Sequence, residues 1–319
     1  MDSTLRKIKI YLITFFILSS VYVSILIGCK NQVSDQSTHD DIFLSPLGKE
    51  LIVPEPSEKM LDQYEKAKKD FESDPDNLDN YIWYGRRTAY LGKYEEAIEI
   101  FSEGIEKFPS DPHLYRHRGH RYISIRKFDK AIKDLEYAGE LIQGKENETE
   151  PDGMPNAMNI PVSTLHGNIW YHLGLAYYLE HNYEEAFEAY MKCRETGDNY
   201  DNIVSSTHWL YMIQRRMGNI DLAAEMLDPI HLGDSVIENT DYYKLCKFYK
   251  GLITIESFKT TKEGSPSSDA IKYGIANWYF YNGEKEKSRK MMDELLTSKS
   301  WSSFGYIAAE SDLIEYFSN

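Results

Sequence analysis

An all-α solenoid of stacked helical hairpins is the fold class this sequence predicts, on three observations. Small residues recur at a fixed distance: Gly85 and Gly119 lie 34 residues apart, and so do Ala97 and Ala131. Within each interval apolar residues return every three or four positions, the period of a helix with one buried face. The balance of 42% hydrophobic and 27% charged residues gives ample material for a core. That balance excludes a mostly disordered chain, a collagen and a polytopic membrane protein. The formal net charge of -15 argues against general nucleic-acid binding, so no nucleic-acid partner is expected.

The first complete unit reads LDNYIWYGRRTAYLGKYEEAIEIFSEGIEKFP over 78–109, with a turn at Leu91-Gly92-Lys93. The second begins PHLYRHRGHRYISIRKFDKAIKDLEYAGELI at 112. The third, GNIWYHLGLAYYLEHNYEEAFEAYMKCRE over 167–195, is the clearest. Its Gly174 and Ala186 are 12 residues apart, as are Gly85 and Ala97. Small side chains at these points let two antiparallel helices approach, and Tyr81, Tyr84 and Phe101 fill the space beside them. One hairpin cannot bury its apolar faces alone, whereas stacked neighbours can. Weaker copies follow, with Ala223 and Ser288 in the small position. Residues 241–255 read as a degenerate helix and 261–268 as a loop. The terminal WSSFGYIAAESDLIEYF reads as a helix started by Ser302 or Ser303, covering the exposed end of the solenoid.

These units resemble the tetratricopeptide repeat family, whose pattern runs Trp, Leu-Gly, Tyr, Ala, an aromatic, Ala and Pro. Thr88 departs from it where the pattern has Tyr, and Arg118 where it has Leu. The resemblance implies a right-handed solenoid over residues 57–319. An insertion near 143–166 interrupts it, since Gly119 and Gly174 are 55 residues apart. This insertion reads either as a variable surface excursion or as a wall of a ligand groove near the binding face.

The N-terminus reads as an address. Arg6, Lys7 and Lys9 precede an uncharged apolar run over residues 10–28, a signal-peptide pattern that is also long enough to cross a membrane. The run ends in Leu26-Ile27-Gly28-Cys29, which resembles the lipobox of bacterial lipoproteins, Ile27 being bulkier than that pattern prefers. By that resemblance residues 1–28 are a signal peptide, Cys29 carries the lipid and its palmitate, and Lys30 points to the outer membrane. Residues 29–56, with Pro46, Pro54 and Pro56, read as the lipidated Cys and a flexible tether. Cys193 and Cys246 remain, with no zinc-type spacing; a disulfide between them is open to an oxidising compartment.

The same resemblance places one side of each first helix on the concave face. Five of the nine histidines fall there, together with Arg86, Arg116, Arg215 and Arg216, inside an acidic protein. The candidate ligand-binding residues are Trp83, Arg86, Arg116, His117, His120, Tyr171, His172 and Trp209. Arginine offers a planar donor fork for carboxylates and phosphates, and aromatic residues add broad contact area. The expected activity is a membrane-tethered protein- or peptide-binding scaffold of the bacterial cell envelope. Its partner would be an acidic or C-terminal carboxylate-bearing segment. A receptor for a small anionic ligand is the first alternative. A metal-assisted enzyme using His113, His117, His120 and His172 is the second. No nucleotide-binding, zinc-protease or serine-hydrolase motif occurs in a useful context, so no catalytic residue, metal or cofactor is expected.

Overall fold

A computed structural model describes residues 43–197, 199–258 and 266–318. The expected signal peptide at 1–28, the expected lipidation site Cys29 and the expected tether up to residue 42 lie outside the described residues. Thirteen α-helices run in chain order among the described residues. They are α1 (Glu58–Ser73), α2 (Leu78–Tyr90), α3 (Tyr94–Lys107), α4 (Pro112–Ser124), α5 (Phe128–Leu141), α6 (Leu165–Leu179) and α7 (Tyr183–Glu195). Then come α8 (Tyr200–Arg216), α9 (Ile220–Met226), α10 (Thr240–Tyr249), α11 (Pro266–Tyr281), α12 (Lys285–Leu295) and α13 (Phe304–Phe317). Each packs chiefly on its sequence neighbours, the contact order of a helical-hairpin solenoid.

The repeat glycines occupy equivalent places. A side chain at Gly85 would lie 2.4 Å from the Phe101 ring, at Gly119 2.8 Å from Leu135, and at Gly174 2.6 Å from Tyr190. In each case the clashing residue lies sixteen positions downstream, on the second helix of the same hairpin. Ala97, Ala131, Ala186, Ala223 and Ser288 are all fully buried at the matching positions of those second helices. Close approach at small residues therefore sets the spacing of every hairpin.

The helix starts follow a pattern. Asn77, Asp111 and Thr164 cap α2, α4 and α6 by accepting a backbone N–H. The second helices α3, α5 and α7 have no such cap, and their first turns carry Glu95 and Glu96, Asp129, and Glu184 and Glu185 instead. Negative charge there complements the helix dipole. The hairpin turns place one residue in the left-handed region. It is glycine in three hairpins, at Gly92, Gly218 and Gly283, but Arg126 and His181 in the other two. A non-glycine residue there is strained, and both of these side chains grip the C-terminal helix.

That helix differs from its expected role. Ser303 caps α13 as expected, and α13 packs on α11 and α12. It also reaches back to the earlier repeats. Arg126 donates from Nε to Glu310 at 2.8 Å and from Nη2 to the Trp301 carbonyl at 2.8 Å. Ser311 donates to the Leu179 carbonyl at 2.7 Å. The C-terminal helix thus lies along the concave side as well as closing the end.

Residues 43–56 also depart from the expected free tether. Phe43–Leu44 and Glu50–Leu51 form a short antiparallel pair, Phe43 opposite Leu51. Phe43 packs on Trp301 with ring centroids 5.5 Å apart, and the Trp301 indole donates to the Ile52 carbonyl at 2.8 Å. Cys193 and Cys246 are buried free thiols.

Candidate functional site

The concave face near the first three repeats encloses a cavity of about 400 Å³. Helix α4 supplies Arg116, His117, His120 and Arg121 to its wall, and α2 supplies Arg86 and Tyr90. Tyr171 and His172 come from α6, and Phe304 from α13. Two successive turns of α4 and one turn of α2 present cationic or imidazole groups to the cavity.

The insertion forms one wall as a strap. Thr149 bridges to Thr164, and Glu150 donates its backbone N–H to the Ser163 carbonyl at 3.1 Å. This pairing turns the Glu150 side chain into the groove, where it is 3% exposed. Its carboxylate lies 3.3 Å from Arg116 Nη2 and 3.1 Å from His117 Nε2, and accepts from Asn168 at 2.7 Å. Further along the strap, Arg86 donates to the Pro151 carbonyl and Arg87 to the Gly153 carbonyl, both at 2.8 Å. Gly153 is required there, since a Cβ would lie 1.9 Å from the Tyr90 hydroxyl. The insertion does both: Val162, Ser163 and Thr164 line the cavity, while residues 154–161 are largely exposed at the surface.

The protonation states follow from these contacts. A guanidinium can only donate, so His117 Nδ1, 2.8 Å from Arg116 Nη1, accepts. The imidazole proton then sits on Nε2, facing Glu150. Burial, together with the positive charge of Arg116, pushes His117 far below its ordinary value. Burial and the adjacent Arg121 do the same to His120. His172 is pushed down to about 3 by burial and Arg116, and donates from Nδ1 to the Asn168 carbonyl at 2.6 Å. Burial alone would raise Glu150, but Arg116 and His117 outweigh it and hold the carboxyl well below its usual range. The wall therefore carries the guanidinium groups of Arg86, Arg116 and Arg121 and neutral imidazoles at one end, backed by the strap carboxylate Glu150, and the carboxyl groups of Asp201 and Glu238 at the other. Its satisfaction is incomplete: the buried Nε atoms of Arg86 and Arg116 have no hydrogen-bond partner, and the His117 N–H is poorly aligned on Glu150.

Six of the eight sequence-selected residues line this cavity: Arg86, Arg116, His117, His120, Tyr171 and His172. Trp83 is outside its walls and lies under Arg86 and Arg87, whose guanidinium carbons are 4.4 and 5.0 Å from the indole centroid. Trp209 is 1% exposed; its indole donates to the Tyr171 hydroxyl at 2.9 Å and it stacks on Tyr190. It supports the wall from behind. Arg121, Glu150 and Phe304 were not in the sequence selection. His113 turns away to Asp111 and Glu148, and among the described residues no group of three or more His, Cys, Asp or Glu is placed to hold a metal.

Residues 167–195 match the family model described as tetratricopeptide repeat. The chain carries a tetratricopeptide repeat. That repeat comprises α6 and α7 and supplies Tyr171 and His172 to the cavity. Similarity extends to the Hsp70-Hsp90 organizing protein of Triticum aestivum, 34% identical over 87 residues, or 26% of this chain and 15% of that protein. The small glutamine-rich tetratricopeptide repeat-containing protein 2 of Saccharomyces cerevisiae is 31% identical over 116 residues, or 36% of this chain and 28% of that protein. Both matches span less than a third of the relative's own length. Among solved structures, a tetratricopeptide repeat protein from Parabacteroides merdae aligns with a TM-score of 0.49 and 15% identity, covering 79% of this chain and 92% of that one.

Proposed function

We propose that this chain is a membrane-tethered interaction scaffold of the bacterial cell envelope, whose concave cavity receives an acidic or carboxylate-terminated segment of a partner protein. The observation that supports this reading is the convergence of Arg86, Arg116 and Arg121 on one end of the cavity, away from the Asp201 and Glu238 carboxyl groups at its other end. Guanidinium groups with unused donors are complementary to carboxylate oxygens. The tethering half of the reading rests on the lipobox-like Leu26-Ile27-Gly28-Cys29. Lipid on Cys29 would hold the body at the membrane, with outer-membrane placement favoured by Lys30. Among the described residues no helix is long and apolar enough to cross a membrane.

A second reading, capture of a small anion, is favoured by the cavity's enclosure. The strap and Phe304 close the groove to about 400 Å³, within the range of small-molecule sites.

Affinity capture from native membranes tests the scaffold reading, with the full chain compared against the Arg86→Ala/Arg116→Ala variant. A specific partner lost by a variant that still melts cooperatively supports it. The same partners on both proteins contradict it. Membrane fractionation of Cys29→Ala tests the tether: the variant moves to the soluble fraction if Cys29 is the anchor point.

A further inference from the structure

Most charged groups on the cavity wall are answered within the chain. Arg116 meets Glu150, and Arg86 donates to the Pro151 carbonyl. Asp201, at the other end of the cavity, accepts backbone N–H groups from Ile237, Glu238 and Asn239. Glu238 accepts from Asn156.

Arg121 is the exception. It follows His120 on α4, is half-buried, and lines the open cavity. Among the described residues no hydrogen bond or ion pair reaches it; its ring contact is Tyr94, with the guanidinium carbon 5.6 Å from the centroid. Burial works most against its charge, Tyr94 and Tyr90 offset part of that, and Arg116 and Arg86, both of its own sign, add to it. His120 beside it is likewise in ring contact alone, 4.2 Å from His172 and 5.4 Å from Phe304 between centroids. A guanidinium cannot shed its proton, and an enclosed charge without a counterion is costly. Here the space in front of that charge is open, not filled by side chains. Open space before an unanswered cation, backed by a second polar group and walled by Tyr171 and Phe304, is the layout of an anion seat with an apolar flank.

We propose that Arg121 and His120 seat the carboxylate or phosphate of a small organic anion, whose body lies in the space beside the strap against the Tyr171 and Phe304 rings, themselves in contact with centroids 6.1 Å apart. Arg121 supplies the charge and a two-pronged donor fork, and neutral His120 supplies one ring N–H. Arg86 and Arg116 hold the strap that closes the compartment, so their contribution to the ligand is the field they create. This inference rests on the reading that the cavity recognises anions and names the residue that does so.

Calorimetric titration of the full chain in detergent tests it, with inorganic phosphate and succinate as separate probes. The wild type and a Lys290→Gln surface control bind at least one probe with one-to-one stoichiometry. Arg121→Gln weakens that binding at least about tenfold, and Arg121→Lys, which keeps the charge but loses the fork, falls between. Preference for phosphate or for succinate decides which oxyanion is seated. Without probe, Arg121→Gln melts no lower than wild type, because it removes an unanswered enclosed charge. Three results overturn the proposal: wild type binding neither probe, Arg121→Gln binding as tightly as wild type, or Arg121→Gln melting well below wild type. Equal binding by Arg121→Gln, with partner capture still lost in the Arg86→Ala/Arg116→Ala variant, rejects the seat and keeps the anion-recognising cavity. Unchanged capture in that variant rejects the cavity reading itself.

Discussion

The concave face has a strap side and a C-terminal-helix side, and the two treat buried charge differently. On the helix side each buried arginine meets a carboxylate from α13: Arg126 meets Glu310 and Arg216 meets Asp312. Arg216 also donates to Asn277, which donates to Tyr178, and the Tyr178 and Tyr273 hydroxyls lie 2.6 Å apart. Tyr273 in turn donates to Asp312 at 2.9 Å. Charge there is paired within a packed network, although Arg216 Nη1, Glu310 Oε1 and Asp312 Oδ1 have no hydrogen-bond partner among the described residues. On the strap side Arg116 meets Glu150, Arg86 meets the Pro151 carbonyl, Arg121 meets neither, and a cavity remains. A solenoid's concave surface can thus be turned partly into core by the chain's own acidic segments, leaving a smaller compartment for a ligand.

The largest effect separating the two sides is expected at Asp312. Asp312→Ala strands Arg216 in the interior and costs about 3–5 kcal/mol in urea unfolding. Arg121→Gln, at a charge with no partner to strand, costs nothing. Equal losses at the two sites would erase the distinction.

Acid sharpens the comparison next. His117, His120 and His172 have folded values below the unfolded value of about 6.5. As pH falls the unfolded chain takes up these protons first. The stability each contributes is full above about pH 6.5 and is lost below it, by about 1.4 kcal/mol per pH unit. For His172 the loss continues to its folded value of about 3. His113 works in the opposite direction. Burial lowers it, but the hydrogen bond and charge of Asp111 and the nearby Glu150 and Glu148 carboxylates outweigh that and raise it, so it gains stability as pH falls. Urea unfolding at pH 7 and pH 5.5 measures the net loss, and His120→Gln should flatten the slope.

A smaller effect tests the frame shared by both sides. Gly174→Ala presses a methyl group into the Tyr190 ring and should cost about 1–3 kcal/mol in thermal unfolding. Smallest is the exposed Lys290–Glu294 pair at 3.9 Å, where Lys290→Ala should shift stability by less than about 0.5 kcal/mol.

The hairpins were legible because Gly85, Gly119 and Gly174 meet Phe101, Leu135 and Tyr190 within single repeats, and such local contacts leave a period in the sequence. The helix start at Ser303 was legible for the same local reason. Six wall residues followed from the repeat register. Arg121 did not, since it stands beside the positions that the register assigns to the concave face. Glu150 enters through an insertion that has no period. The pairing of Arg126 with Glu310 and the docking of Trp301 on Ile52 join segments far apart in the chain, so their partners carry no spacing signal. The strained φ of 60° at Arg126 and 58° at His181 belongs to the same long-range docking.

Hydrogen exchange measured with and without a saturating short peptide ending in an acidic residue tests the division of the concave face most directly. The account predicts added protection over residues 116–121 and the strap at 148–153, while residues 304–317 exchange as slowly as before. Loss of protection over 304–317, with none gained at 116–121, would mean that the peptide takes the place of the C-terminal helix, and the division drawn here would be wrong.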